Sequence, residues 1–104
     1  MTTPFDIVLE SETDNYYLVK VTGELNGEST PKFEDFIKQL FFKEAKDIKL
    51  DLDDLDVIVS SAIGSLLLLH DTVTTGQKQF TIIKINEKIK SIISIIGLDN
   101  IIIL

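Results

Sequence analysis

Ser60 and Ser61 are the residues best placed for chemistry in this chain. The spacing around them reads as a strand and its exit loop running into a helix. In an α/β sheet that is the carboxyl edge of the strands, where sites collect. On local physics one serine is a helix N-cap. The sharper reading is a regulated phosphorylation site, because a phosphate there meets free backbone N–H groups and the positive end of the helix dipole. A second candidate is the acidic run Asp51, Asp53, Asp54 and Asp56, whose closely spaced carboxylates are a possible divalent-cation set. The run lacks the glycine and final glutamate of an EF-hand loop. Asp51 and Asp53 alternate with Leu50 and Leu52, which reads as a solvated strand end. His70, next to Asp71, has no nearby nucleophile and reads as a surface or half-buried helix residue. Gly23 to Gly27 lacks the G-x-G-x-x-G spacing of a dinucleotide site and reads as a loop. One histidine and no cysteine or tryptophan leave few groups for nucleophilic or general-base catalysis. The expectation is no catalytic residue, no metal and no cofactor.

The elements that must position these residues follow from periodicity. Phe5, Ile7 and Leu9 alternate in a strand over 5–10, and Tyr17, Val19 and Val21 do so over 16–22. The polar segment 11–15 between them makes an antiparallel hairpin. Ser29 or Thr30 caps a first helix with Pro31 at its start, and Phe33, Phe36, Ile37, Leu40 and Phe41 form its apolar face. A strand over 48–52 follows, and 53–58 leads out of it. The second helix begins at Ser60 or Ser61, runs to about Thr74 and ends at Gly76; Ile63, Leu66, Leu67 and Val73 mark its buried face. The run Leu66 to Leu69 is apolar on too many sides for one buried face, so part of it is expected to be exposed and adhesive. A strand over 80–85 reads as buried on both faces. Asn86 caps a third helix carrying Ile89, Ile92, Ile93 and Ile96, Gly97-Leu98 stops it, and Ile101 to Leu104 reads as a last strand. The order β-β-α-β-α-β-α-β predicts an α/β domain: an N-terminal hairpin, then β-α units joined by crossovers into a mostly parallel sheet.

A length of 104 residues with 44% hydrophobic and 26% charged residues fits one ordinary domain, 1–104. The net charge of -7 argues against nucleic acid and anionic membranes as partners, and no run of Lys or Arg offsets it. The absence of cysteine excludes disulfides, zinc–thiolate sites and thiol nucleophiles. Met1-Thr2-Thr3-Pro4 does not read as a signal peptide. No apolar run approaches the ~20 residues of a membrane span. The chain is expected to be cytoplasmic, without membrane insertion.

Leu50-Asp51-Leu52-Asp53-Asp54-Leu55-Asp56-Val57-Ile58-Val59-Ser60-Ser61-Ala62-Ile63-Gly64 resembles the signature of STAS domains, among them bacterial anti-sigma factor antagonists. The family pattern is an apolar strand with aspartate, a loop, then Asp-Ser-(Ser/Thr/Ala)-Gly-Leu-Gly opening a helix. Gly23-Glu24-Leu25-Asn26 looks like the family's Gly-Glu-Leu-Asp, and Gly97-Leu98-Asp99-Asn100 like its Gly-Leu-Asp. The blocks keep the family's order across nearly the whole chain. The resemblance implies a non-catalytic binding switch. A partner that is both anti-sigma factor and serine kinase phosphorylates the serine, which falls on Ser60, with Ser61 the weaker candidate; a serine phosphatase resets it. The partner surface implied is Asn26, Val59, Ser60, Ser61, Ala62 and Ile63.

Four departures qualify what is implied. Val59 replaces the signature aspartate, Ala62 the glycine and Asn26 the loop aspartate. The family's usual last helix has no counterpart after Leu104, so an uncovered edge and a homodimer are expected there. The rival within the fold is a constitutive STAS adaptor of a transporter ATPase or a stress-signalling assembly, which Val59 and Ala62 favour. The rival outside it is a metal enzyme built on the acidic run.

Overall fold

The computed structural model describes residues 4–95. Its elements are β1 (Asp6–Glu12), β2 (Tyr16–Leu25), α1 (Thr30–Lys43), β3 (Asp47–Leu52), β4 (Leu55–Ile58), α2 (Ser60–Thr75), β5 (Phe80–Ile85) and α3 (Glu87–Ile95). The sheet runs β1-β2-β3-β5, and β4 pairs with β2. Among the described residues only the hairpin pair β1–β2 is antiparallel; β2–β3, β2–β4 and β3–β5 are parallel. This is the mostly parallel α/β sheet behind an N-terminal hairpin that the periodicity predicts, with three helices flanking it.

Alternation does what it should in the central strand. Tyr17, Val19, Val21 and Leu25 on β2 are essentially fully buried. They share the core with Ile48, Leu50 and Leu52 of β3, and with Phe80 and Ile82 of β5. From the helices come Phe33, Ile37 and Phe41, then Ala62, Leu66, Leu69 and Val73, then Ile89 and Ile93. The hairpin turn is closed by Thr13, whose hydroxyl oxygen accepts from the Asn15 and Tyr16 amides at 3.1 Å each.

Five corrections to the sequence reading concern the strands and the buried face of α2. β2 continues through Leu25, so Gly23 to Leu25 is strand rather than loop. Residues 55–58 form β4 rather than a simple exit, because each segment gives the other its pairing partner: Gly23↔Leu55, Glu24↔Val57, Leu25↔Ile58. The register shifts between Gly23 and Glu24, and Gly23 takes φ 84°, a left-handed conformation glycine adopts freely. Asp51 is buried at 6% instead of solvated, because β3 lies between β2 and β5 with Lys20 and Lys84 opposite it. Leu67 is 44% exposed, since the buried stripe of α2 runs through Ala62, Ser65, Leu66, Leu69 and Val73. Its neighbour Leu68 is 45% exposed, so part of that run is exposed, as expected. Finally, β5 is not buried on both faces: Ile83 and Ile85 are half-buried, with Phe80 and Ile82 inside. The expected helix stop at Gly97-Leu98 and the last strand at 101–104 lie outside the described residues, as does Ile96.

Candidate functional site

Parallel pairing of β2 with β4 brings the two separated sequence blocks together. Leu25 and Ile58 are register partners, and the Val59 amide donates to the Leu25 carbonyl at 3.1 Å. The chain therefore leaves the sheet at adjacent points, into the Asn26 loop from β2 and into α2 from β4. Both exits lie at the carboxyl edge of the parallel strands.

Neither serine caps α2, contrary to the local reading. Val59 is the N-cap, extended at φ −102° and ψ 168°, and no side chain hydrogen-bonds to the helix end. Ser60 and Ser61 are the first two helical residues, and both are exposed. The Val59 carbonyl accepts from the Ala62 and Ile63 amides at 3.0 and 3.1 Å. A helix that starts behind an apolar N-cap leaves its leading amides without the usual side-chain oxygen. Val59 cannot supply one and packs half-buried against the core instead.

The six residues of the expected partner surface divide by burial. Asn26 and Val59 are half-buried, and Ser60 and Ser61 are exposed. Ala62 and Ile63 are 0% and 5% exposed, so their side chains pack in the core and present nothing outward. They belong to the stripe that seats α2 on the sheet.

Asn26 is held by its own loop. Its Oδ1 accepts from the amides of Glu28 and Ser29 at 2.9 and 3.0 Å. Its amide donates to Ser29 Oγ at 2.9 Å, and that hydroxyl donates to the Glu24 carbonyl at 2.7 Å. Ser29 is the N-cap of α1 by position, but its hydroxyl makes no cap hydrogen bond, being spent on this loop. Beside it lies a groove of about 300 Å³ lined by Phe5, Glu24, Asn26, Glu28 and Lys32 among others.

The electrostatics of α2 are unusual for so charged a chain. No Asp, Glu, Lys or Arg occurs between Asp56 and Asp71. Ser60, Gly64, Leu67, Leu68 and Asp71 are all exposed, at spacings that place them along one side of the helix. The nearest tie to α1 is Glu34, whose Oε1 accepts from the Ser65 hydroxyl at 2.7 Å and whose Oε2 meets Lys38 at 3.2 Å. The Ser65 hydrogen bond, aided by Lys38 and opposed by burial, holds the Glu34 carboxyl below its ordinary range.

Two features of the edge were not read from sequence. Asn86 accepts from the Ile89 amide at 2.9 Å, the cap expected, and its Nδ2 also donates to the Asp53 and Leu55 carbonyls at 2.9 and 2.8 Å. It thus fastens α3 to the β3–β4 turn. Asp51 closes the same turn by accepting from the Asp53 amide at 3.0 Å. An asparagine before an amphipathic run signals a cap, but nothing local signals where its amide donors go. The rest of the acidic run diverges: Asp53, Asp54 and Asp56 are exposed, and Asp54 pairs with Lys20 at 3.1 Å. Among the described residues no three His, Asp or Glu side chains are placed to hold a metal ion. Nor, among them, is any helix long and apolar enough to cross a membrane. His70 is half-buried, its ring edge-on to Phe80 at 6.4 Å.

Comparison with known proteins agrees with this fold. The chain is similar to the anti-sigma-B factor antagonist of Staphylococcus aureus (strain NCTC 8325 / PS 47), 24% identical over 87 residues, covering 84% of this chain and 81% of the relative. In fold it is similar to the anti-sigma factor antagonist SpoIIAA in its unphosphorylated form, with TM-score 0.81 and 17% identity over 96% of this chain and 86% of that one. The Bacillus cell fate determinant SpoIIAA in the phosphorylated form gives TM-score 0.74 and 17% identity, covering 96% of this chain and 89% of that one. The STAS domain model matches residues 8–104, nearly the whole chain, and on that match the protein belongs to the STAS domain family.

Proposed function

We propose that this chain is an anti-sigma factor antagonist-like regulator, acting in the cytoplasm by binding rather than by catalysis. Its partner is an anti-sigma factor that is also a serine kinase. Phosphorylation of Ser60 breaks the complex, and a serine phosphatase restores it. The observation that carries this reading is the exposed Ser60, first residue of α2, beside the Asn26 loop on a helix face without charge as far as Asp71.

The physics of the switch follows from that face. A phosphate adds about −1.5 to −2 charges. On the free protein it sits at the positive end of α2, next to leading amides that no side chain caps, so the fold tolerates it. Against a partner it must be desolvated where no cation of α2 offsets it. The free and bound states therefore respond differently to the same group. Ser61 is the weaker acceptor, one residue further into the helix. Asn26, Val59 and Ser60 form the contact, with Ala62 and Ile63 positioning α2 beneath it.

The test is affinity for the cognate kinase, found by co-purification from the native cells. Ser60→Ala is expected to bind as the unmodified protein does, and Ser60→Asp more weakly by tenfold or more. Equal affinities would remove the switch. A second reading, a constitutive STAS adaptor on a transporter ATPase or signalling assembly, is favoured by Val59, an apolar residue where the family pattern has aspartate. Co-purification with such an assembly and an unmodified Ser60 would decide for it.

A further inference from the structure

The Asn26 loop carries a chemistry that the binding switch does not use. Asn26 is followed by Gly27, and a glycine amide is the least hindered backbone nucleophile toward the side-chain carbonyl before it. Gly27 is exposed, and a Cβ added to it would meet nothing within 4 Å. The electrophile is prepared by the loop. Asn26 Oδ1 already accepts from the Glu28 and Ser29 amides at 2.9 and 3.0 Å. These are the distances at which backbone donors stabilise an oxyanion, and negative charge develops on Oδ1 when its carbonyl carbon is attacked. α1 begins at Thr30, so the same oxygen also lies near the positive end of a helix.

We propose that Asn26-Gly27 is a self-modifying site at which the folded chain converts its own Asn26 to aspartate and isoaspartate. The Gly27 nitrogen forms a bond to Asn26 Cγ and gives up its proton. The Cγ–Nδ2 bond breaks, and Nδ2 leaves with that proton as ammonia, closing a succinimide. Water then opens the ring at either carbonyl. Attack at the backbone carbonyl carbon breaks its bond to the Gly27 nitrogen and gives isoaspartate, with the chain now running through Cγ; attack at Cγ breaks the newly formed bond and restores the main chain with aspartate. The sum is amide plus water to carboxylic acid plus ammonia, with no change of oxidation state.

The aspartate product fits the loop that makes it. A carboxylate at position 26 can accept the same two amide hydrogen bonds, now charge-assisted, close to the start of α1. It places one negative charge beside the exit of β4 without disturbing β2. The isoaspartate product lengthens the main chain by one carbon and breaks the register of that turn. One loop therefore yields two altered surfaces beside Ser60. The inference does not depend on whether Ser60 is phosphorylated.

The test is incubation of the purified protein at mildly alkaline pH under native conditions. Proteolysis and mass spectrometry of the peptide spanning Asn26 then follow, with isoaspartate labelled by a carboxyl methyltransferase. Gly27→Ala is the variant, since its methyl has open space and the fold is checked by circular dichroism. Conversion in the folded wild type and its loss in Gly27→Ala are the expected results. If the folded wild type keeps its amide while the same chain in denaturant loses it, the loop protects the site and the proposal fails. It fails equally if both proteins convert at the same rate, since the Gly27 amide is then not the nucleophile.

Discussion

Gly64 and Gly76 belong to the same helical segment and answer to opposite constraints. A Cβ at Gly64 would meet nothing within 4 Å, whereas at Gly76 it would stand 2.8 Å from the Phe41 ring. Gly64→Ala is expected to raise stability by about 0.5–1 kcal/mol, the usual cost of an unneeded helical glycine. Gly76→Ala is expected to lower it by about 1–3 kcal/mol, because Phe41 is itself buried and must shift. Urea midpoints of the two variants check both signs. The sequence reading placed Gly76 correctly at the helix end but for a local reason. Its φ is −79°, and the left-handed residue there is Gln77 at φ 66°. What Gly76 serves is a ring contributed by α1, which no local pattern could show. Glu34 gives a second prediction at this scale. Its carboxyl is held below its ordinary 4.5, chiefly by Ser65. A depressed pKa stabilises above the unfolded value, and that contribution is lost as pH falls through the folded value. Glu34→Gln should therefore flatten the acid limb of the stability profile below about pH 4.5 and leave its alkaline limb unchanged. Identical acid limbs for variant and parent would show the hydrogen bond contributes nothing.

Elements were legible where their pattern was long and local, and obscure where they depend on one another. The alternation in β2 and the 3–4 spacing in α1 and α3 each announced themselves. β4 did not, because four residues carry too little period, and its partner Gly23–Leu25 looked like a glycine loop. Each segment is a strand only in the presence of the other. The clamp at Asn86 shows the same limit, since it joins α3 to a turn more than thirty residues earlier. Asn86→Ala removes both the cap and the two carbonyl contacts and is expected to cost about 2 kcal/mol. Asn86→Asp keeps an acceptor for the Ile89 amide but loses the donors, and should fall between. If Asp matched the parent in thermal melting, the carbonyl contacts would be dispensable. α2 was correctly read as too apolar, with the wrong leucine turned inward. Leu67 and Leu68 are the exposed pair, on the same side as Ser60. Replacing both with serine should change stability by no more than about 0.5 kcal/mol per site, while reducing any self-association seen by sedimentation.

At the scale of the molecule, the proposed function gives the two ends of the sheet different duties. The carboxyl edge presents Asn26, Val59 and Ser60. At the amino edge, where β2 and β3 begin, Lys46 is buried at 5% and fastens three elements. Its Nζ meets Glu12 of β1 at 3.0 Å, the Thr13 carbonyl at 2.7 Å and Glu44 after α1 at 3.7 Å, and it lies 5.0 Å from the Tyr17 ring centre. The Tyr17 hydroxyl donates in turn to the Leu40 and Glu44 carbonyls at 3.1 and 3.0 Å. The Glu12 hydrogen bond, opposed by burial, raises Lys46 above its ordinary 10.5. Burial above all raises Tyr17 above 10.0. Both shifts have the same sign: the stabilisation is whole below the unfolded values and is lost as pH rises through the folded ones, so its loss lies entirely on the alkaline side. Lys46→Met keeps the stem and removes the ammonium, leaving a carboxylate and a carbonyl without their donor. Its denaturation midpoint at neutral pH should fall, and its alkaline limb should flatten. Partner affinity should not move, because nothing at this end touches the Asn26–Ser60 edge. Ser60→Asp should do the reverse, holding the midpoint and losing the partner. If Lys46→Met weakened partner binding at temperatures where it remains folded, the two ends would be coupled through β2, and the separation of anchoring from recognition would be wrong.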